Sequence, residues 1–391
     1  VPGWTVVVAL ALALFLTLGS CSTQDVINVA LSKDPEKAVE SMARARAESY
    51  KRDPRRLVED AKRAKGQFDK LVAFLKGEVA DTWGEDEVVI PSKKRYVKYT
   101  QAYKSRAIVD FDSGRITVET LAEDEPRQNL EQAIITTLLT PDDPRSVDLY
   151  SDKQIELSGR PYLDGLVLDH RGRPATTVST AESYAAYLVT NAMQARVTRQ
   201  DSSVRFVTMQ MVVDRVNQQA KRYLPLVNQH AKRFGVSKSL VFAVIQIESA
   251  FNPFAVSSAP AYGLMQLVPT SGGRDAYRLV KGKDGIPSKE YLFDSNNNIE
   301  LGTAYLHLVD DQYLNEVRQP ISREYCVIAA YNGGTGNVLR TFSKDRQNAI
   351  NVINDLSPAD VYRQLRTGHP REETRRYLGK VLDARKQFIR L

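Results

Sequence analysis

The spacing of apolar residues changes several times along the first half of the chain and then settles. Val6–Leu18 is an uncharged apolar run of about thirteen residues. From Asp34-Pro35 to about Lys76 the spacing predicts helix, interrupted at Asp53-Pro54 because a residue before proline is pushed out of the helical region. Beyond Trp83 the period drops toward two. Glu87–Ile90, Arg95–Tyr99, Arg106–Phe111 and Arg115–Leu121 are predicted strands, and Asp112-Ser113-Gly114 turns the last pair into a hairpin. Glu125–Thr140 is predicted helix, ending before Pro141. Tyr150–Thr177 is rich in Gly, Pro and Asp, with room for a short strand over Gly165–Asp169; Ala181–Thr198 is predicted helix and Val204–Val213 strand. After Asp214 the pattern is helical almost throughout: Val216–Phe234, closed by Gly235, then Ser237 opening the next helix, Ser295–Tyr313, Arg323–Tyr331, and a basic tail from Pro358. The expected fold class is therefore α+β, with an N-terminal α+β domain over 36–215 and a mainly helical domain over 216–391.

Composition sets the compartment more than the fold. The 391 residues carry a formal charge of +7, which suits a polyanionic partner without selecting one. Two cysteines, Cys21 and Cys326, exclude a disulfide framework. The run Val6–Leu18 is too short to span a bilayer but has the length of a signal-peptide core. Leu18-Gly19-Ser20-Cys21 follows it and resembles the bacterial lipobox, which implies a signal peptide over 1–20, lipidation of Cys21, and a polar tether over 21–35. Ser22, where an Asp would signal retention, implies the periplasmic face of the outer membrane. Nucleic acid is not an expected partner of an exported protein. His170, His230, His307 and His369 are scattered without metal-ligand spacing, so no metal and no cofactor is expected. Cys326, inside an apolar helix, reads as a small core residue.

One acid stands out. Val241, Val244, Ile245 and Glu248 fall at i, i+3, i+4 and i+7, so a helix here carries Glu248 on its apolar face. Asn252-Pro253 is expected to end that helix within about one turn. Burial and the negative end of the helix dipole both disfavour the charged form, which suits a general acid. An acid that closes a helix and reaches water is the alternative that position leaves open.

Three motifs stand in order: Ile247-Glu248-Ser249-Ala250-Phe251-Asn252-Pro253, Gly263-Leu264-Met265-Gln266, and Ala330-Tyr331-Asn332-Gly333-Gly334. With Asn298–Leu306 and Arg375-Arg376-Tyr377-Leu378, they resemble the goose-lysozyme-like (SLT) domain of the bacterial lytic transglycosylases. The lipobox and the α+β region narrow the resemblance to the membrane-bound members. It covers roughly residues 220 to 385. It implies a lysozyme-like helical domain acting on peptidoglycan glycan strands, with cleavage of the β-1,4 bond after N-acetylmuramic acid and formation of a 1,6-anhydro ring. It assigns Glu248 as acid and then base, and Ser249, Met265, Gln266, Tyr331, Asn332 and Tyr377 as substrate-binding or orienting residues. Glycosidases ordinarily use two carboxylates. The next acids along the chain, Asp275 and Asp284, fall in an expected polar loop, and a substrate carrying its own nucleophile needs no second acid. Pro260 stands where many relatives have glycine, which puts the loop before Gly263 in question. A lysozyme-type hydrolase and a catalytically silent peptidoglycan-binding lipoprotein are the alternatives.

Overall fold

The computed structural model describes Ser49 and residues 54–391. The apolar run Val6–Leu18, Cys21 and the tether lie outside the described residues, as do most of the first predicted helices. Pro54 opens helix α1 (Pro54–Trp83), which runs on to Trp83 instead of ending at Lys76. A proline at a helix start costs nothing, because its missing N–H would be an orphan there.

Three antiparallel strands follow, β1 (Arg95–Thr100), β2 (Ser105–Asp110) and β3 (Arg115–Thr120). The hairpin between β2 and β3 forms as predicted. The Asp110 carboxylate accepts from the backbone N–H groups of Asp112 and Ser113, and Gly114 takes the left-handed φ of 77° that closes the turn. Helix α2 (Pro126–Leu139) lies against β2, β3 and β5, and helix α3 (Val178–Asn191) packs on α2. Strands β4 (Gln194–Val197) and β5 (Ser203–Gln210) complete one antiparallel sheet in the order β1-β2-β3-β5-β4.

The sheet corrects three expectations. Glu87–Ile90 is not a strand: Glu85–Glu87 is a short 3₁₀ turn, the Glu87 carbonyl accepts from Arg106, and the Val89 carbonyl accepts from the Tyr99 hydroxyl. Backbone groups satisfied by side chains have no need of a ladder. The predicted helix over Ala181–Thr198 stops at Asn191, and its last residues pair with β5 as β4. Gly165–Asp169 is turn, making only the isolated bridge Leu168–Pro174, because the Asp169 carboxylate folds the chain back onto the N–H groups of Arg171 and Arg173.

Register puts Tyr96, Val109, Ile116 and Met209 in one row on one sheet face, and Tyr99, Arg106 and Glu119 in one row on the other. On the second face Arg106 is 2% exposed and its guanidinium lies 3.9 Å from the centre of the Trp83 ring. It donates to Glu87 and Glu119, and Arg196 from β4 donates to the same two carboxylates.

The helices after the sheet are α4 (Arg215–Phe234), α5 (Lys238–Ser249), α6 (Gly272–Lys281), α7 (Lys289–Phe293), α8 (Ser295–Leu308), α9 (Pro320–Gly333), α10 (Thr335–Phe342), α11 (Arg346–Asp355), α12 (Pro358–Gly368) and α13 (Glu372–Arg385). Gly235 sits at φ 65° after α4, as a left-handed cap requires. Helices α6, α10 and α11 were not legible as such: each is 10 residues or shorter and buries few side chains, so periodicity had little to register. Asp275 therefore lies in the first turn of α6 rather than in a polar loop. The predicted helix from Ser295 to Tyr313 changes to a π turn over Val309–Tyr313.

By packing, the chain forms two compact units. One holds the described residues up to Gln219 together with Ser249–Gln266 and Ser288–Ser295; the other holds Ala220–Glu248, Leu267–Pro287 and Asn296–Leu391. One of the points at which the chain passes between the units is the peptide bond between Glu248 and Ser249.

Candidate active site

Helix α5 carries Glu248 as the pattern predicted. Val241, Val244 and Ile245 are fully buried, and Glu248, on the same face, is 5% exposed. Within the helical unit two tyrosines stand against it. The Tyr377 hydroxyl, from α13, is buried close enough to Glu248 to feel its charge and makes no hydrogen bond of its own. Burial first, and then the Glu248 charge, push the Tyr377 hydroxyl far above the ordinary tyrosine range. Burial and the same charge do this to Tyr331, at the end of α9. Both phenols therefore remain hydrogen-bond donors at any working pH. The Tyr305 ring packs on Tyr331 with centroids 5.5 Å apart, and burial pushes its hydroxyl up to about 12.

Asn332 joins the two helices that bring these tyrosines in. Its side-chain oxygen accepts from the Thr374 hydroxyl at 2.6 Å, which ties the end of α9 to the first turn of α13. Gly333 makes that approach possible: a Cβ there would lie 2.8 Å from both His369 and Thr374. Thr374 and His369 were not singled out in the sequence, and no motif marks them.

Helix α5 ends ahead of Asn252-Pro253 and within one turn of Glu248, as expected. It ends at Ser249, and Ala250 and Phe251 then take left-handed φ values of 51° and 64°. Such conformations cost side-chain-bearing residues on the order of 1–3 kcal/mol each and gather at functional sites. The loop that follows is closed by its own hydrogen bonds. The Ser249 hydroxyl donates to the Leu264 carbonyl at 2.8 Å. The Gln266 amide donates to the carbonyls of Ala255 (3.0 Å) and Gly263 (3.1 Å), with Gln266 itself at φ 48°. That spends the amide nitrogen and leaves the Gln266 side-chain oxygen buried without a hydrogen-bond partner. Met265 is fully buried. Val256 bridges Tyr262, and Pro260 lies at the tip of this turn, beyond the hydrogen bonds that fix Gln266.

Other acids are engaged elsewhere. Asp284 is paired with Arg274, whose guanidinium holds its carboxyl below the usual range. Burial pushes the Cys326 thiol up to about 12, so it is not a thiolate near neutral pH. Among the described residues no group of three or more His, Cys, Asp or Glu could hold a metal ion.

Within the helical unit, a buried carboxyl beside two phenols is an arrangement suited to proton transfer. Residues 60–222 match the family model described as "Membrane-bound lytic murein transglycosylase C, N-terminal domain", and residues 225–354 match the "Transglycosylase SLT domain". The protein named membrane-bound lytic murein transglycosylase C from Yersinia enterocolitica is 48% identical over 324 residues, which is 83% of this chain and 90% of the relative. Its counterpart from Yersinia pestis is 47% identical over the same shares. Among solved structures, the 70 kDa soluble lytic transglycosylase of Escherichia coli is similar over 43% of this chain and 24% of its own, with 25% identity and a TM-score of 0.33. The chain thus belongs to the membrane-bound lytic murein transglycosylase C family.

Proposed function

We propose that this peptidoglycan lytic transglycosylase cleaves the β-1,4 bond between N-acetylmuramic acid and N-acetylglucosamine, with Glu248 as the single acid–base residue. Protonated Glu248 donates to the leaving glycosidic oxygen. The resulting carboxylate takes the proton from the muramyl C6 hydroxyl as that oxygen bonds to C1, so the product carries a 1,6-anhydro ring and no water is consumed. The substrate's 2-acetamido group supports the positive charge that develops at C1. The observation that carries the reading is the burial of Glu248 against Tyr331 and Tyr377. Burial biases a carboxyl toward its neutral, proton-donating form, and the phenols supply donors to the carboxylate that forms afterwards.

Gln266 is assigned to substrate binding through its side-chain oxygen, which is left to accept from a sugar hydroxyl or amide. Ser249 and Met265 shape the same loop, the first by its hydrogen bond to Leu264 and the second as a buried wall. Asn332 acts through the α9–α13 contact that holds Tyr331 and Tyr377.

A lipid on Cys21 is proposed as the membrane anchor. No helix among the described residues is long and apolar enough to cross a membrane, and the related proteins are named membrane-bound. Such an anchor would place the enzyme on the periplasmic face of the outer membrane. Wild-type protein is expected to partition with membranes and Cys21→Ala to be released; equal partitioning would remove the anchor from the proposal. For the chemistry, purified sacculi are digested with wild type and Glu248→Gln. The variant keeps the shape of the side chain and loses its acid, so solubilisation should fall by about 10²–10⁴-fold. Equal digestion by the two proteins would exclude Glu248 as the acid.

A further inference from the structure

His369 is a fully buried imidazole that the reaction as described does not use. It stands in the turn between α12 and α13, inside the helical unit. Its Nδ1 accepts from the Arg371 backbone N–H at 3.1 Å. That N–H opens α13, whose N-cap residue Arg371 supplies no side-chain cap of its own. An imidazole that accepts at Nδ1 is neutral and carries its proton on Nε2. Nε2 is buried without a hydrogen-bond partner, and its edge of the ring lies against Gly333 at the end of α9: a Cβ there would be 2.8 Å from both Cε1 and Nε2.

The ring thus sits in a seam between the end of α9 and the start of α13, and hydrogen bonds stitch that seam around it. The Thr374 hydroxyl donates to the Asn332 side chain at 2.6 Å, and the Arg371 guanidinium donates to the Asn332 carbonyl at 3.4 Å. The Arg375 guanidinium donates to the His369 carbonyl at 2.7 Å. Each helix carries its tyrosine close by: Tyr331 precedes Asn332, and Tyr377 follows Thr374 by three residues, about one turn along α13. An apolar side chain would fill the space of the ring without stranding a nitrogen, and buried polar atoms are ordinarily paired. The imidazole supplies what a hydrocarbon cannot, the acceptor for the Arg371 N–H. A protonated ring would lose that acceptor and add a positive charge beside Arg371 and Arg375; Asn332 and Gly333 of α9 and Gly368 at the end of α12 carry no charge to offset it. Burial first, and then those two guanidinium charges, hold the ring's pKa below the ordinary histidine value, against an opposing contact of Nδ1 with the Arg371 carbonyl at 3.4 Å.

We infer that His369, as a neutral imidazole, is a positioning residue for the acid: it sets the seam between α9 and α13, and through that seam the placement of Tyr331 and Tyr377 beside Glu248. The inference rests on the reading of Glu248 given above and deepens it. His369 bonds to the Arg371 backbone and packs on Gly333, so it acts through the two helices and not on the reacting atoms. A seam that opens moves the phenols relative to the carboxyl. Small displacements of such groups are expensive in rate, because catalytic geometry tolerates little error.

The test uses the full chain. Initial rates on purified peptidoglycan give kcat and KM for His369→Leu and His369→Asn, with the folded fraction at the assay temperature followed by circular dichroism. Leucine fills the space but offers no acceptor, so kcat per folded molecule should fall by about tenfold, with KM little changed. The asparagine side-chain oxygen takes the place of Nδ1 as a neutral acceptor and should restore kcat to near wild type. Wild-type kcat per folded molecule in His369→Leu would overturn the inference and leave a merely structural contact. An asparagine variant as slow as the leucine one would overturn it too, because the acceptor would then not be what His369 contributes. Should His369→Leu not fold, Gly333→Ala decides. Its methyl group enters the same seam without removing the acceptor, and kcat per folded molecule should fall; wild-type turnover there would overturn the inference. Full activity in Glu248→Gln would instead bring down the reading of the acid; full activity in the His369 and Gly333 variants alone leaves that reading standing.

Discussion

In the sheet domain Glu119 lies between the guanidinium groups of Arg106 and Arg196, with Glu87 completing the set; in the helical unit Glu248 lies against the phenols of Tyr331 and Tyr377. Both arrangements bury a carboxyl group, and they do opposite things with it. Opposite charges at 2.8 Å and 3.1 Å pair with the sheet carboxylates, and the hydrogen bond from Arg196 holds Glu87 below its usual range. An acid locked as a carboxylate cannot deliver a proton near neutral pH. Neutral hydroxyls stabilise a carboxylate less than guanidinium groups do. On the proposed reading, the difference between a structural carboxylate and a chemical one lies in the partners more than in the depth of burial.

Variants can break that comparison, and their effects should rank. Glu248→Gln should give the largest change, the loss of turnover by about 10²–10⁴-fold, with little change in stability. Next comes Arg106→Met. It leaves Glu119 buried with part of its charge uncompensated, and removing one partner of a buried ion pair costs about 3–5 kcal/mol. A shift in the denaturant midpoint would report it. A fall in turnover without loss of stability would show that the sheet network is not structural. Tyr377→Phe should follow, removing one buried hydroxyl beside Glu248. Loss of the hydrogen bond that this hydroxyl is proposed to give the carboxylate corresponds to about tenfold to a hundredfold in rate, with the fold intact. Unchanged turnover and an unchanged pH profile would take Tyr377 out of the site.

The smallest effect is expected at Lys98. It is 2% exposed, its ammonium donates to the carbonyls of Asp148 and Ser151, and burial pushes its pKa down to about 8. Its unfolded value is the ordinary one, near 10.5. Between these two values the unfolded chain binds the proton more tightly, so stability from this residue rises with pH. Unfolding midpoints of wild type and Lys98→Met, compared from pH 8 to pH 10, should move in favour of wild type. A difference independent of pH would contradict the sign.

Legibility in the sequence followed local signals. The hairpin at Asp112–Gly114 and the apolar face ending at Glu248 were readable because turn chemistry and helical period are written in neighbouring residues. Helices α6, α10 and α11 were not, being short and weakly buried. Strand β4 was hidden because its pattern continues that of α3, and only pairing with β5 turns it into sheet. Of the candidate residues, Glu248, Gln266 and Tyr331 stood in motifs, whereas Thr374 and His369 make a close approach to Asn332 and Gly333 that no spacing along the chain records. Asn252 was legible only as a helix stop. Its contacts with Ser92 and Lys93 span about 160 residues, and its partners are backbone carbonyls, which carry no sequence signature. Phe254 belongs with it for the same reason: its partners Tyr96 and Tyr162 are ordinary core tyrosines until the fold assembles them around it.

The central claim is that one buried acid suffices because the substrate supplies the nucleophile. Mass spectrometry of the products released from defined glycan strands tests it most directly. Digestion by the wild-type chain should leave every new muramyl end as the 1,6-anhydro form, two hydrogens and one oxygen lighter than a reducing end, with no incorporation of label from ¹⁸O water. Reducing muramyl ends carrying ¹⁸O would show that water is the nucleophile, and would turn the enzyme into a hydrolase whose second group has yet to be found.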